Sequence, residues 1–222
     1  MILCIADVLS QSEVKDIRKD LARSEFAPGA RTAGWAARPL KENLQLSKDA
    51  EAATDIQQKI RRALYRNELL TLIACPKQTS EIVISKYTMG MRYGNHVDNA
   101  LMGGNERMRS DLSFTLFLSD TKEYEGGELV IEMLGGSEEC KLEAGSMVLY
   151  ASTSLHRVEP VTSGCRLVAV GWIQSSVRDP RHREILFELE TLKRRLYDKE
   201  GATQEFDSLN KSVSNLWRLW IE

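Results

Sequence analysis

From residue 81 to 173 the chain runs in short β-rich segments broken by glycines and charged turns. That punctuation suits a β-sandwich or barrel. The runs cover 81–88, 111–119, 128–133, 146–151, 156–161 and 167–173. Gly135-Gly136 and Ala144-Gly145 read as turns, and Gly126-Gly127 leads into a strand. Side chains alternate along a strand, so Ser113, Thr115 and Phe117 share one face and Leu112, Phe114, Leu116 and Leu118 the other. The first face is expected to line a cavity and form the substrate pocket, and the second to pack in the core. Residues 95–110, rich in Gly, Asn, Met and Arg, form a connection long enough to act as a lid.

Helical patterns flank this middle. Residues 1–9 read as a first strand, and Ser10-Gln11-Ser12-Glu13 has capping-box spacing. Val14, Ile17 and Leu21 then predict a helix over 11–24. Residues 25–47 look irregular or hairpin-like. Ser47 is placed to cap a second, longer helix with Ile56, Ile60 and Leu64 on one face, breaking near Pro76. Beyond Val177, Asp179-Pro180 opens a helix carrying Ile185, Leu189, Leu192 and Leu196, and Gly201 precedes a last segment with Leu209, Val213, Leu216, Trp217 and Trp220. The expected architecture is α+β: one domain over 1–177, with its catalytic part at 81–174, and a helical extension over 178–222. Trp217 and Trp220 are expected to pack onto the β core. The alternative is that these C-terminal helices mediate homo-oligomerisation.

Charge and composition exclude several classes. The 30 basic and 32 acidic residues nearly cancel, leaving −2, which is no electrostatic footprint for nucleic acid. No run approaches the roughly 18 apolar residues of a membrane span. The apolar start MILCIADVLS lacks the basic region of a signal peptide. Cys4, Cys75, Cys140 and Cys165 are scattered, without a C-x-x-C pair, as expected for reduced thiols in a cytoplasmic protein.

The chemistry concentrates in His96-Val97-Asp98, His156 and Arg166. The chain has only 3 histidines, and two fall in this set. On an extended segment His96 and Asp98 point to the same side, and a histidine from another strand completes a two-histidine, one-carboxylate set with open coordination positions. H-x-D alone is common by chance; its place in the β-rich middle gives it weight. Such ligands suit Fe(II), and also Zn(II), Mn(II) and Ni(II). With a turn at Thr162-Ser163-Gly164, Arg166 is expected on the strand adjacent and antiparallel to that of His156. There its fork can hold a carboxylate in an apolar setting. Tyr87 is either a hydroxyl donor to co-substrate or substrate, or an ordinary strand aromatic. His182 is expected to be a solvated helix residue.

These residues resemble a known family. Tyr87-Thr-Met-Gly90-Met-Arg-Tyr93-Gly94-Asn-His96-Val-Asp98 is similar to the Y-x-x-G-x-x-Y-x-x-H-x-D run of prolyl 4-hydroxylase-type oxygenases. DLSFTLFLSD, EGGELVIE, GSMVLYASTSLHRVEPVTSGCR and GWIQSSVRD resemble bacterial PKHD-type hydroxylases, the iron-uptake-associated, PiuC-like family, and KENLQL and REILFELE extend the likeness. The resemblance implies a double-stranded β-helix (jelly-roll) core. It implies Fe(2+) on His96, Asp98 and His156, 2-oxoglutarate on Arg166 with Tyr87 beside it, dioxygen as oxidant and ascorbate as a bound reductant. It also implies hydroxylation of a peptidyl prolyl or lysyl residue, an amino acid or a siderophore-like molecule, in iron homeostasis. One departure is Phe117, where some prolyl hydroxylases place a tyrosine that supports the co-substrate. Two other readings use the same ligands: a cupin-like zinc hydrolase or isomerase, and a non-enzymatic iron-binding sensor or adaptor.

Overall fold

Leu112, Phe114, Leu116 and Leu118 on one side, and Ser113, Thr115 and Phe117 on the other, build a central strand with two distinct faces. The computed structural model describes residues 1–32, 34–47, 50, 52–103 and 107–222. In chain order the strands begin with β1 (Ile2–Ile5), β2 (Phe26–Pro28), β3 (Lys41–Glu42), β4 (Leu44–Leu46), β5 (Pro76–Thr79) and β6 (Val83–Tyr87). Next come β7 (Arg92–His96), β8 (Leu101–Met102), β9 (Met108–Arg109), β10 (Leu112–Phe117), β11 (Tyr124–Gly126) and β12 (Leu129–Met133). The last are β13 (Gly136–Cys140), β14 (Met147–Ala151), β15 (His156–Val158), β16 (Val161–Gly164) and β17 (Arg166–Ser175). The helices are α1 (Gln11–Leu21), α2 (Ala53–Arg66), α3 (Glu68–Ala74), α4 (Pro180–Glu200) and α5 (Gln204–Trp220).

Two antiparallel sheets face each other. The larger runs β1-β14-β10-β17-β6-β4-β2, with β5 also paired to β17, and the smaller runs β13-β12-β15-β7-β3. Leu112, Phe114, Leu116 and Leu118 turn outward with Met147, Leu149, Ala169 and Ile173 and meet α1, α2 and α3. Ile17, Ile56 and Ile60, all 0% exposed, supply the helical side of that core. Each such side chain contributes roughly 1.5–3 kcal/mol of burial. Phe117, Leu129, Ile131, Val148, Val158 and Val168 form a second cluster between the sheets, at one end of the cavity. This is the jelly-roll core with helices at both ends. Residues 41–46 cross from the small sheet, where Lys41 pairs with Tyr93, to the large one, where Gln45 pairs with Ser85, and so close one side of the sandwich.

Several expectations need correction. Ser47 is not the cap of α2, which starts at Ala53 after an N-cap, Ala52, that makes no side-chain capping bond. Residues 48, 49 and 51 of that expected helix lie outside the described residues. The helix ends at Asn67 rather than near Pro76, because Asn67 is extended and its side chain accepts from Leu70 N, capping a new helix. The run 156–161 is two strands. Pro160 has no N–H to continue the ladder, and Thr162-Ser163-Gly164, expected as a turn, belongs to β16, which pairs with β11. Within 95–110, β8 and β9 form a short hairpin, and 104–106 lie outside the described residues. Trp217 and Trp220 join Leu186, Leu189 and Val213 in a separate cluster between α4 and α5, not on the β core. His182 stacks on Trp220 at 4.2 Å and is not a free solvated side chain. All four cysteines are free thiols.

Candidate metal centre

Strand pairing brings the two histidines together. His96 ends β7 and His156 begins β15, and they are register partners across the small sheet, with ring centroids 4.2 Å apart. Asp98 follows two residues on, at the start of the loop, and its Oδ2 lies 3.9 Å from His156 Nε2. One ligand atom from each of the three lies within 4.8 Å of the others, so together they could hold a metal ion.

The surroundings fit that use. His96 Nδ1 meets Gly94 O at 2.8 Å and His156 Nδ1 meets Ser154 O at 3.0 Å. A carbonyl only accepts, so each Nδ1 carries the proton and each Nε2 offers a lone pair. Burial pushes His96 down to about 4, and the neighbouring His156 ring adds to the effect, so it is neutral at pH 7. Tyr93 stacks on the His96 ring at 3.6 Å, and Tyr150 meets His156 edge-on at 5.1 Å. Ser113 donates to Asp98 Oδ2 at 2.6 Å and lies 2.7 Å from Ser152 Oγ.

Arg166 is on the opposite sheet. The chain leaves His156, runs through β16 and turns at Gly164 (φ +76°) into β17 of the large sheet. Arg166 therefore faces the histidines across the sandwich, and the expected adjacency on neighbouring strands is wrong. The side chain is 1% exposed, its Nε has no hydrogen-bond partner, and no carboxylate among the described residues lies at ion-pair distance. Its guanidinium sits over the rings of Tyr87 at 5.1 Å and Phe117 at 5.6 Å. Gly127 (φ +66°) leaves room for the stem, since a Cβ there would press on Arg166 Cδ and Val161. A buried cation without an anionic partner is costly unless a ligand supplies one.

One cavity of about 540 Å³ joins these groups: His96, Asp98, His156, Tyr87 and Arg166 all line it. Ser113 and Thr115 line it as expected. Phe117, 0% exposed, is not on the lining but forms part of the floor under Arg166. Sequence reasoning missed Tyr93, Tyr150 and Ser152. Tyr93 was legible as the second tyrosine of the Y-x-x-G-x-x-Y run, whereas nothing in ASTS singled out Ser152. It also missed Lys41, which lines the same cavity from β3.

Residues 82–174 match the 2OG-Fe(II) oxygenase superfamily. Over the full length the chain is 50% identical to a PKHD-type hydroxylase of Rippkaea orientalis, with 99% of each chain covered. Among solved structures, a Pseudomonas putida prolyl-4-hydroxylase superposes with a TM-score of 0.51 at 20% identity, covering 78% of this chain and 92% of that one. A prolyl hydroxylase from Trichoplax adhaerens, in complex with a hypoxia inducible factor peptide fragment, gives 0.56 at 16% identity, covering 83% and 86%. These two likenesses speak to the fold.

Proposed function

Since this chain belongs to the PKHD-type hydroxylases of the 2OG-Fe(II) oxygenase superfamily, we propose that His96, Asp98 and His156 hold its iron and that Arg166, with Tyr87, holds its 2-oxoglutarate. The enzyme is a hydroxylase that depends on Fe(2+) and 2-oxoglutarate and acts on a small molecule or peptide. The observation that carries the residue assignment is one cavity with three convergent ligand atoms on one wall and, on the other, a buried guanidinium with no carboxylate partner among the described residues. Iron and 2-oxoglutarate supply the oxidising power that lets dioxygen hydroxylate a C–H bond.

The protein's own groups bind and orient. The two Nε2 lone pairs and the Asp98 carboxylate would hold the metal. Ser113 fixes which oxygen of Asp98 faces the site. The planar fork of Arg166 suits the far carboxylate of 2-oxoglutarate, and the Tyr87 and Phe117 rings hold that fork in place. Leu129, Val158 and Val170 line the cavity and keep bulk water from the reacting centre. The finer reading includes a cytoplasmic location and no nucleic-acid partner, supported by free thiols and balanced charge. No helix among the described residues is long and apolar enough to cross a membrane.

The test is succinate release from 2-oxoglutarate with added Fe(II), alongside metal titration. His96→Ala, Asp98→Ala and His156→Ala should each lose metal binding and turnover. Near-normal turnover in all three would refute the ligand set.

A further inference from the structure

The wall that Arg31, Thr32, Lys41 and Gln45 add to the cavity lies outside the matched 82–174 core and carries its own cation. Lys41 is half-buried, and its Nζ lies 5.1 Å from the Tyr93 ring centroid, while Tyr93 stacks on His96 at 3.6 Å. The ammonium is thus one aromatic ring away from a metal ligand. Its only hydrogen bond among the described residues goes to Thr32 Oγ1 at 3.1 Å, and no carboxylate among them lies at ion-pair distance. Thr32 in turn donates to Gln45 Oε1 at 2.8 Å, which ties β4 to the segment that carries Arg31. An ammonium has three donors, which leaves two for a ligand. Burial lowers the Lys41 pKa to about 8, and the Asp98 charge opposes that fall.

Charge balance points the same way. A dication, Asp98, Arg166 and a 2-oxoglutarate dianion sum to zero. The remaining charged residues of the lining are Arg31 and Lys41 against Glu81, a net of one positive charge. Both carboxylates of 2-oxoglutarate are already assigned, one to the metal and one to Arg166. A further unsatisfied donor, Trp172 Nε1, is buried in the same lining, on the strand beside Ser113. We propose that Lys41, backed by Arg31 and the Trp172 indole N–H, anchors an anionic group, a carboxylate or a phosphate, on the primary substrate. The proposal rests on the iron and 2-oxoglutarate assignment above.

The experiment uses full-length protein loaded with Mn(II) and saturating 2-oxoglutarate. The probes are a panel of small carboxylic acids and phosphate monoesters, each paired with its neutral amide or ester, and binding is read by saturation-transfer NMR. Loading is first checked by calorimetry. At least one acid should bind about tenfold or more tightly than its neutral partner, as a charge-assisted contact predicts. Acids and phosphates, compared within the panel, identify which anion is preferred. Lys41→Gln should erase the preference and Lys41→Arg should keep it, with 2-oxoglutarate affinity unchanged in both. No acid preference anywhere in the panel, or a preference that survives in Lys41→Gln, would overturn the proposal. So would a loss in Lys41→Gln that proves to be weakened 2-oxoglutarate binding. Failure of the wild type to load Mn(II) and 2-oxoglutarate would sink the parent assignment as well, and is seen before any probe is added.

Discussion

Ser113 Oγ donates to Asp98 Oδ2 at 2.6 Å, from a central strand of the large sheet to the loop that follows β7. This bond links the two sheets at the candidate metal site and aims the carboxylate. Ser113→Ala removes the donor while leaving all three ligands. Metal affinity should fall about 10–100-fold, as with other partners that orient ligands. A Mn(II) titration checks this, and an unchanged dissociation constant would detach Ser113 from the centre.

Arg166 should dominate co-substrate binding. Losing a bidentate, charge-assisted contact costs several kcal/mol, so Arg166→Ala should weaken 2-oxoglutarate by about 100-fold or more. Arg166→Lys should recover only part of it, because a point charge lacks the fork. Thermal shift offers a second readout. Ligand at about 100 times its dissociation constant adds about 2.7 kcal/mol to the wild type, and Arg166→Ala should lose that gain.

The turn into β17 depends on a residue without a side chain. Gly164 has φ +76°, and a Cβ there would collide with the Glu123 carbonyl oxygen. Gly164→Ala should destabilise the fold by about 1–3 kcal/mol and displace Arg166, two residues on. Chemical denaturation should show the stability loss and calorimetry a weaker 2-oxoglutarate affinity. A variant with wild-type values in both would show that the backbone relaxes freely there.

Acid should weaken the attachment of α1 to α2. Arg66 donates to both carboxylate oxygens of Glu13, at 2.9 and 3.0 Å, and this bond holds the Glu13 pKa at about 2. A pKa depressed in the folded state stabilises above the unfolded value of 4.5 and fades as pH falls toward 2. Arg66 is 58% exposed, so solvent screening limits the contribution to about 1 kcal/mol or less. Glu13→Gln preserves the capping box and removes the charge. It should lower Tm slightly at pH 7, with the difference shrinking between pH 4.5 and 2. A constant gap over that range would assign the effect to packing.

Much of this protein was legible in the sequence because short-range rules govern it. Period-two alternation at 112–118 assigned each face of β10, the Ser10–Glu13 capping box started α1, and His96 with Asp98 two residues apart marked a pair of candidate ligands. Where a local cap opposed the apolar period, or where the partner strand was distant, the reading failed. Helix α2 breaks at Asn67 because a side-chain cap competes with helix continuation, a balance that apolar periodicity does not register.

What the sequence by itself determined is the inventory: a β-rich middle between helices, two histidines and an aspartate fit for a metal, and an arginine fit for a carboxylate. Only the tertiary structure decided how those groups face each other. Pairing of β7 with β15 put His96 against His156, and the passage through β16 carried Arg166 to the opposite sheet. The crossing of residues 41–46 between the sheets then brought Lys41 into the same cavity. Local residue preferences set the alternation within a strand. The partner of each strand depends on which distant segments bury their apolar faces together, and that free energy belongs to the whole fold.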